Sequence, residues 1–233
     1  MAKTIVLGEV RVQTVFKAVK NVHLTVHPPE GRVTLVAPTG TRPEVARAYA
    51  ISKLAWIRDQ QRALKAQARE TPRRFIERES HHVWGRRYLL RVVEQDSRAH
   101  VELGNKTLTL FVRPGATQAK RADVMNEWHK SLLHLELPPL IATWERRLGV
   151  KIKAYHLQRM KTKWGSCNPT AGNIRLNTEL VKKPKDLLEY VLVREMAHLL
   201  ERNHSDAFVK ILNLHLPSWR ESRLLLNELP LGV

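Results

Sequence analysis

The segment Val193-Arg194-Glu195-Met196-Ala197-His198-Leu199, with His204 six residues beyond His198, carries the sharpest chemical signal in the chain. Its spacing is that of the zinc-binding pattern His-Glu-x-x-His, with arginine in the first histidine position. In the intact pattern two imidazoles one helical turn apart hold zinc from the same face, and the glutamate takes a proton from metal-bound water. Arginine cannot be a ligand, because its guanidinium stays protonated and presents donors only. Leu187, Leu188, Val191, Leu192 and Met196 give the segment a broad apolar surface, which predicts a buried helix opened by Pro184 and Asp186. A charged Arg-Glu pair in that setting is costly unless its members meet each other, a ligand or an ion.

Upstream of this helix the pattern is mixed. Ile174 and Leu176 alternate after the turn Asn168-Pro169-Thr170-Ala171-Gly172, so strands are predicted within 151–176. Val124, Trp128, Leu132 and Leu135, then Leu140, Trp144 and Leu148, recur at helical spacing up to Gly149. Pro138-Pro139 separates the two runs and predicts two helices or one broken helix, an interior proline costing about 3 kcal/mol. Strand patterns stand at 88–93, 101–103 and 108–110, the last two joined by Gly104-Asn105-Lys106 as a hairpin or meander.

At the start of the chain, Val22, Leu24 and Val26 face Val33 and Leu35 across Pro28-Pro29-Glu30-Gly31, a hairpin pattern. Thr41 as N-cap and Pro43 then open a helix whose apolar face is read through Val45, Ala48, Leu54, Trp56 and Ile57 toward Ala66, packed across the hairpin. A basic connector follows, with Arg62, Lys65, Arg69, Arg73, Arg74 and Arg78 around Thr71-Pro72; it is either a phosphate-tracking stripe or a solvated linker. The sequence carries no repeat at a fixed period and no glycine-rich phosphate loop. The expected organisation is α+β, with a β-rich region holding one helix at 1–115 and a compact domain at 116–233.

With 233 residues and 43% hydrophobic content, a packed core is expected. Lys and Arg total 40 against 22 Asp and Glu, a formal charge of +18 that favours polyanionic partners. The single cysteine, Cys167, excludes an intramolecular disulfide framework and fits a reducing compartment. Met1 to Gly8 lacks the features of a signal peptide, and no apolar run approaches about 18 residues, so a cytoplasmic protein without a membrane partner is expected.

Four segments then act as a set. Met160-Lys161-Thr162-Lys163-Trp164-Gly165-Ser166-Cys167, Gly172-Asn173-Ile174-Arg175-Leu176-Asn177, the Arg194 segment, and Asn203-His204-Ser205 with Phe208 stand in the order and spacing of the YgjP-like metallopeptidase family. The chain resembles that family over most of its length, including the first hairpin, the Ala37-Pro38 step and the helix through Trp56-Ile57. The resemblance implies a compact zincin-like catalytic domain, related to SprT-like and other small gluzincin-type folds, with a short sheet over the metal-binding helix. It also implies zinc as cofactor, a protein or peptide substrate, His198 and His204 as zinc ligands and Glu195 as general base. Arg194 stands where the family has its first histidine ligand. Trp164, Gly165 and Ser166 fall, on the same resemblance, on the sheet beside the active site, where an extended peptide binds by strand addition. Read from the residues alone, Trp164 fills core, Gly165 permits close backbone approach and Cys167 is a small buried residue.

Two histidines leave a catalytic zinc site one protein ligand short, so zinc is expected to bind weakly or not at all and hydrolysis to be impaired or lost. Two accounts of the site stay open. Glu195 and His198, at i and i+3, form a ligand pair known from helical metal sites; alternatively, the Arg194 guanidinium takes the cation's place beside Glu195. The competing functions are peptide hydrolysis, a non-catalytic module binding protein or nucleic acid, and a metal-dependent nucleotide phosphohydrolase suited to the basic composition. His81, His82, His129, His134, His156 and His215 carry no ligand spacing, and His156, ahead of the 161–167 strand, is the first to inspect as a replacement ligand. No histidine is fixed beside Cys167 by spacing, which argues against a thiol nucleophile.

Overall fold

A computed structural model describes residues 3–27, 31–66, 72–160 and 162–229. The chain separates into two compact units, 1–69 and 70–233. The first contains β1 (Lys3–Leu7), β2 (Val10–Lys17), β3 (His23–His27), β4 (Arg32–Pro38), α1 (Pro43–Ser52) and α2 (Leu54–Ala66). Its sheet has the order β1-β2-β4-β3, with β2 and β4 parallel and the outer pairs antiparallel. The predicted hairpin is β3 and β4, and Pro28 to Glu30 of its turn lie outside the described residues, as do Arg69 and Thr71 of the basic connector. Strands β1 and β2 were not read from the sequence, although Val10, Val12 and Thr14 alternate inward.

The helical reading of this unit needs correction. Arg42, not Thr41, is the N-cap and gives no side-chain cap, and the helix divides at Lys53 into α1 and α2. Val45 is 56% exposed; the inward face runs through Ala46, Ala50 and Ile57, which pack with Val33 and Leu35. Small alanines let the helix backbone approach the sheet, and the bulkier valine turns to solvent.

The second unit begins with β5 (Ser80–Val83), β6 (Arg86–Glu94), β7 (His100–Leu103) and β8 (Thr107–Val112), in the order β5-β6-β8-β7. The β7–β8 hairpin stands where it was predicted, and β6 pairs parallel to β8. This sheet repeats the pairing directions of the first. Each of β5 to β8, and the helix α3 (Gln118–Leu148) after them, starts 75 to 77 residues beyond its counterpart among β1 to β4 and α1. The repetition is one of backbone topology, which side-chain self-similarity did not reveal. The predicted change of character at 115/116 falls between β8 and α3, within this unit.

Helix α3 runs unbroken through Pro138 and Pro139, against the expectation of a break. Its buried stripe is Met125, His129, Leu133, Leu137, Ile141, Trp144 and Leu148, one residue beyond the predicted Val124, Trp128 and Leu132, and Leu135 of the same run is 72% exposed. Both prolines face outward, so the carbonyls they leave unpaired lie on the solvent side while the apolar stripe stays continuous. Gly149 closes the helix at φ +66°, left-handed as glycine allows.

Beyond α3 come β9 (Ala154–Gln158), β10 (Gly165–Asn168), β11 (Asn173–Asn177), a 3-10 turn at Thr178–Lys182, then α4 (Lys185–Ala197), α5 (Asp206–His215) and α6 (Trp219–Glu228). The short sheet has the order β10-β11-β9, with β10 antiparallel and β9 parallel to β11. Ile174 and Leu176 of β11 and Leu187 to Val193 of α4 share one core with the C-terminal half of α3. The architecture is α+β, β-rich at its N-terminal side. No helix among the described residues is long and apolar enough to cross a membrane.

Candidate active site

Helix α4 is placed by its apolar residues, which are buried almost without interruption from Leu187 to Ala197, with Glu189 and Arg194 less so. Strand β10 lies directly on it. A Cβ on Gly165 would come within 2.7 Å of Glu195 Cγ and 2.9 Å of Val191 Cγ1, so only glycine admits this approach. The loop leading into β10 is held by Asn177, whose Nδ2 donates to the carbonyls of Met160 at 2.7 Å and Lys163 at 2.9 Å. Its Oδ1 accepts from the amides of Met160 and Glu179.

The helix ends at Ala197, His198 is its C-cap, and the following loop delivers His204 just before Ser205 caps α5. The rings of His198, His204 and Phe208 pack together, with centroids 4.6 to 4.9 Å apart. His198 Nδ1 donates to the Glu201 carbonyl at 3.1 Å, which leaves the lone pair on Nε2. A metal-binding imidazole commonly makes such a bond from its other ring nitrogen, which fixes the tautomer and the ring orientation.

Arg194 changes the chemistry of this group. Its Nη1 donates to Glu195 Oε1 at 2.5 Å, and its Nη2 donates to His204 Nε2 at 2.8 Å. Since a guanidinium cannot accept, His204 Nε2 is the acceptor, and its ring is neutral with the proton on Nδ1. Burial, followed by the charges of Arg194, His198 and Arg223, holds His204 below its ordinary pKa. Glu195 is only 2% exposed, and burial holds its carboxyl above its ordinary pKa even though the charges of Arg194 and His198 pull the other way. Among the described residues, no group of three or more His, Cys, Asp or Glu is arranged to hold a metal ion.

These side chains open onto a cleft of about 600 Å³ that Trp164, Gly165 and Ser166 also line. Tyr190, Arg202 and Arg223 line it as well and had no signal in the sequence, since they lie outside the recognisable motifs. His156 is exposed on β9, the strand farthest from β10, and does not reach the cleft. Burial and the nearby Glu195 push the Cys167 thiol up to about 11, which keeps it protonated and unreactive at neutral pH.

A short sheet thus lies over a helix that ends in Glu-x-x-His, with a further histidine on the next loop. The family described as YgjP-like, metallopeptidase domain, matches residues 20–229, and the chain belongs to it. Among solved structures, similarity is found to the metallopeptidase zymogen abylysin of Pyrococcus abyssi, at 20% identity, 41% of this chain, 97% of that one and a TM-score of 0.36. The zymogen jannalysin of Methanocaldococcus jannaschii gives 22% identity, 38% of this chain, 90% of that one and a TM-score of 0.34. No curated protein matches the sequence.

Proposed function

We propose that this chain is a metallopeptidase-family protein in which the Arg194 guanidinium has replaced the catalytic metal, leaving a cleft that binds protein or peptide segments without hydrolysing them. The observation that carries this reading is the bridge from one guanidinium to both Glu195 and His204. The donor set does not fit zinc. The lone pair of His204 Nε2 is engaged by Arg194, Glu195 is paired with the same cation, and only His198 keeps the orientation of a ligand. In the family pattern Glu195 is the general base and His198 and His204 hold zinc; here Glu195 instead neutralises Arg194, an arrangement that needs no metal.

Among the described residues, Lys163, Arg202 and Arg223 line the cleft with Arg194, against the single carboxylate Glu195. This favours acidic peptide segments, with Trp164, Gly165 and Ser166 along the β10 edge supplying the contact surface. The net charge of +18 favours nucleic acid as a second partner class. A fluorescently labelled Glu-rich unstructured peptide tests the reading: salt-sensitive binding, weakened by Arg202→Ala or Arg223→Ala, is expected, and the peptide stays intact with added zinc. Displacement by single-stranded oligonucleotide would redirect the assignment to nucleic acid. Chelator-sensitive cleavage by the unaltered chain would overturn it.

A further inference from the structure

Strands β1 to β4 of the first unit contain no aspartate or glutamate. Alternation divides their side chains between two faces. Val10, Val12 and Thr14 of β2 and Val33, Leu35 and Ala37 of β4 are buried, and Val12, Val33 and Leu35 pack with Ala46, Ala50 and Ile57 of α1 and α2. The helices therefore lie on one face. The intervening residues form the other, which α1 and α2 leave uncovered, and Arg11, Gln13, Lys17, His23, Thr25 and Arg32 on it are exposed.

Strand register orders this open face into rows. Val6 stands opposite Arg11, and His27 opposite Arg32. Val12 is level with Val33, so Arg11 and Arg32, the residues just before them on parallel strands, stand side by side about 5 Å apart. The next row is Thr4, Gln13, Thr34 and Thr25, and the one after it Val15, Val36 and His23. Lys17 closes the face about 20 Å along β2 from Arg11. His27 Nε2 and Thr34 Oγ1 lie 3.0 Å apart and tie the first row to the second.

Two guanidiniums side by side on neighbouring strands repel. Among the described residues, Arg11, Lys17 and Arg32 have no ion pair and no side-chain hydrogen bond to offset this, and Glu9, two residues before Arg11, makes no ion pair either. The β5–β8 sheet, built with the same pairing directions, differs at this point: Arg91 on its corresponding face is level with Thr109, which stands opposite Glu102.

A row of cations without counter-charges suits a ligand that brings its own at close intervals. Duplex nucleic acid carries one negative charge about every 1.7 Å, roughly a dozen over 20 Å. Guanidinium forks match phosphate, and hydroxyl and amide side chains bond its oxygens as well. Phe16 is the one aromatic residue of the four strands other than histidine, and it lies toward α1 with Pro43 and Ala46. The open face therefore has no platform on which the bases of a single strand would stack.

We propose that the open face of β1 to β4 binds the phosphate backbone of duplex nucleic acid without reading its sequence, Arg11 and Arg32 forking one phosphate and Lys17 reaching another. None of the residues lining the Arg194 cleft belongs to this unit, so the two readings stand or fall separately. Fluorescence anisotropy of the full chain with labelled duplexes of about 20 base pairs, one of DNA and one of RNA, tests this between about 50 and 200 mM salt. The double variant Arg11→Gln/Arg32→Gln should bind tenfold or more weakly, with the slope of log affinity against log salt reduced by about 2. Arg47→Gln/Arg58→Gln, which removes two exposed cations from the helix side of the same unit, should change affinity less than about threefold. Thr25→Glu keeps every cation and sets a carboxylate in the middle row; it should weaken binding too, and it carries the comparison if the arginine variant misfolds. Preference for either duplex identifies the source as DNA or RNA, and both uphold the surface. Absence of binding at about 50 mM salt, equal weakening by the two arginine variants, tighter binding of the corresponding single strand, or displacement by polyglutamate at equal charge would each overturn the proposal.

Discussion

Replacing Gly165 with alanine tests the contact that builds the candidate active site. The added Cβ meets Glu195 Cγ at 2.7 Å and Val191 Cγ1 at 2.9 Å, both on a buried helix face. Overpacking of this kind costs about 1–3 kcal/mol. Against it stands a gain of about 0.4–1 kcal/mol from restricting the unfolded chain. The clash wins, for a net loss of about 1–2 kcal/mol. In a chain of this size that lowers the melting temperature by about 2–8 °C, read by circular dichroism at neutral pH. The same displacement pushes Glu195 away from β10 and weakens peptide binding in the cleft. An alanine variant melting within about 1 °C of the parent would refute the claim that β10 rests on Glu195.

Other outcomes follow from the same structure. Asn177→Ala removes a buried amide bonded to Met160, Lys163 and Glu179 and should cost about 3 kcal/mol, measured by urea denaturation; a loss under about 1 kcal/mol would contradict its role in holding the loop. His129, pulled down to about 3 by burial, has a folded pKa below its unfolded value of about 6.5, so the unfolded chain gains the proton first on acidification. Its contribution is whole above about pH 6.5 and falls by about 1.4 kcal/mol per unit down to about pH 3, a loss of about 2 kcal/mol at pH 5. His129→Leu should flatten that dependence, and an unchanged acid limb would exclude His129 as its origin. Cys167, held near 11, should react with iodoacetamide at about pH 8 at a small fraction of the rate of a free thiol, followed by mass spectrometry; a rate equal to that of free cysteine would show the thiol to be unburied.

The sequence was most legible where side-chain chemistry repeats with a short period. The β3–β4 and β7–β8 hairpins, the turn at Gly104 to Lys106 and the α4 segment follow from alternation and helical spacing. It was least legible where burial depends on neighbours far along the chain. Pro138 and Pro139 argued for a break, yet the stripe from Leu133 to Leu148 packs against α4 and β11 strongly enough to carry one helix through. Ala46 and Ala50 were passed over in favour of Val45 because hydrophobicity does not register how closely a helix must approach a sheet. The parallel β2–β4 and β6–β8 pairings have no local signal at all, since each joins strands across an intervening hairpin partner.

For the candidate site, the motif brought Arg194, Glu195, His198 and His204 to one place on paper, and they line one cleft. The spacing left open which group Arg194 would meet; its two donors to Glu195 and His204 depend on the loop after α4. Tyr190, Arg202 and Arg223 join the cleft through tertiary packing alone.

Zinc content, measured by mass spectrometry on the purified chain beside an Arg194→His variant, puts the place of the guanidinium to the most direct test. The account predicts little zinc in the chain and about one equivalent in the variant, where the introduced imidazole restores the third protein ligand. Equal, tight loading of both proteins would contradict it, because a metal would then share the pocket with a cation said to have taken its position.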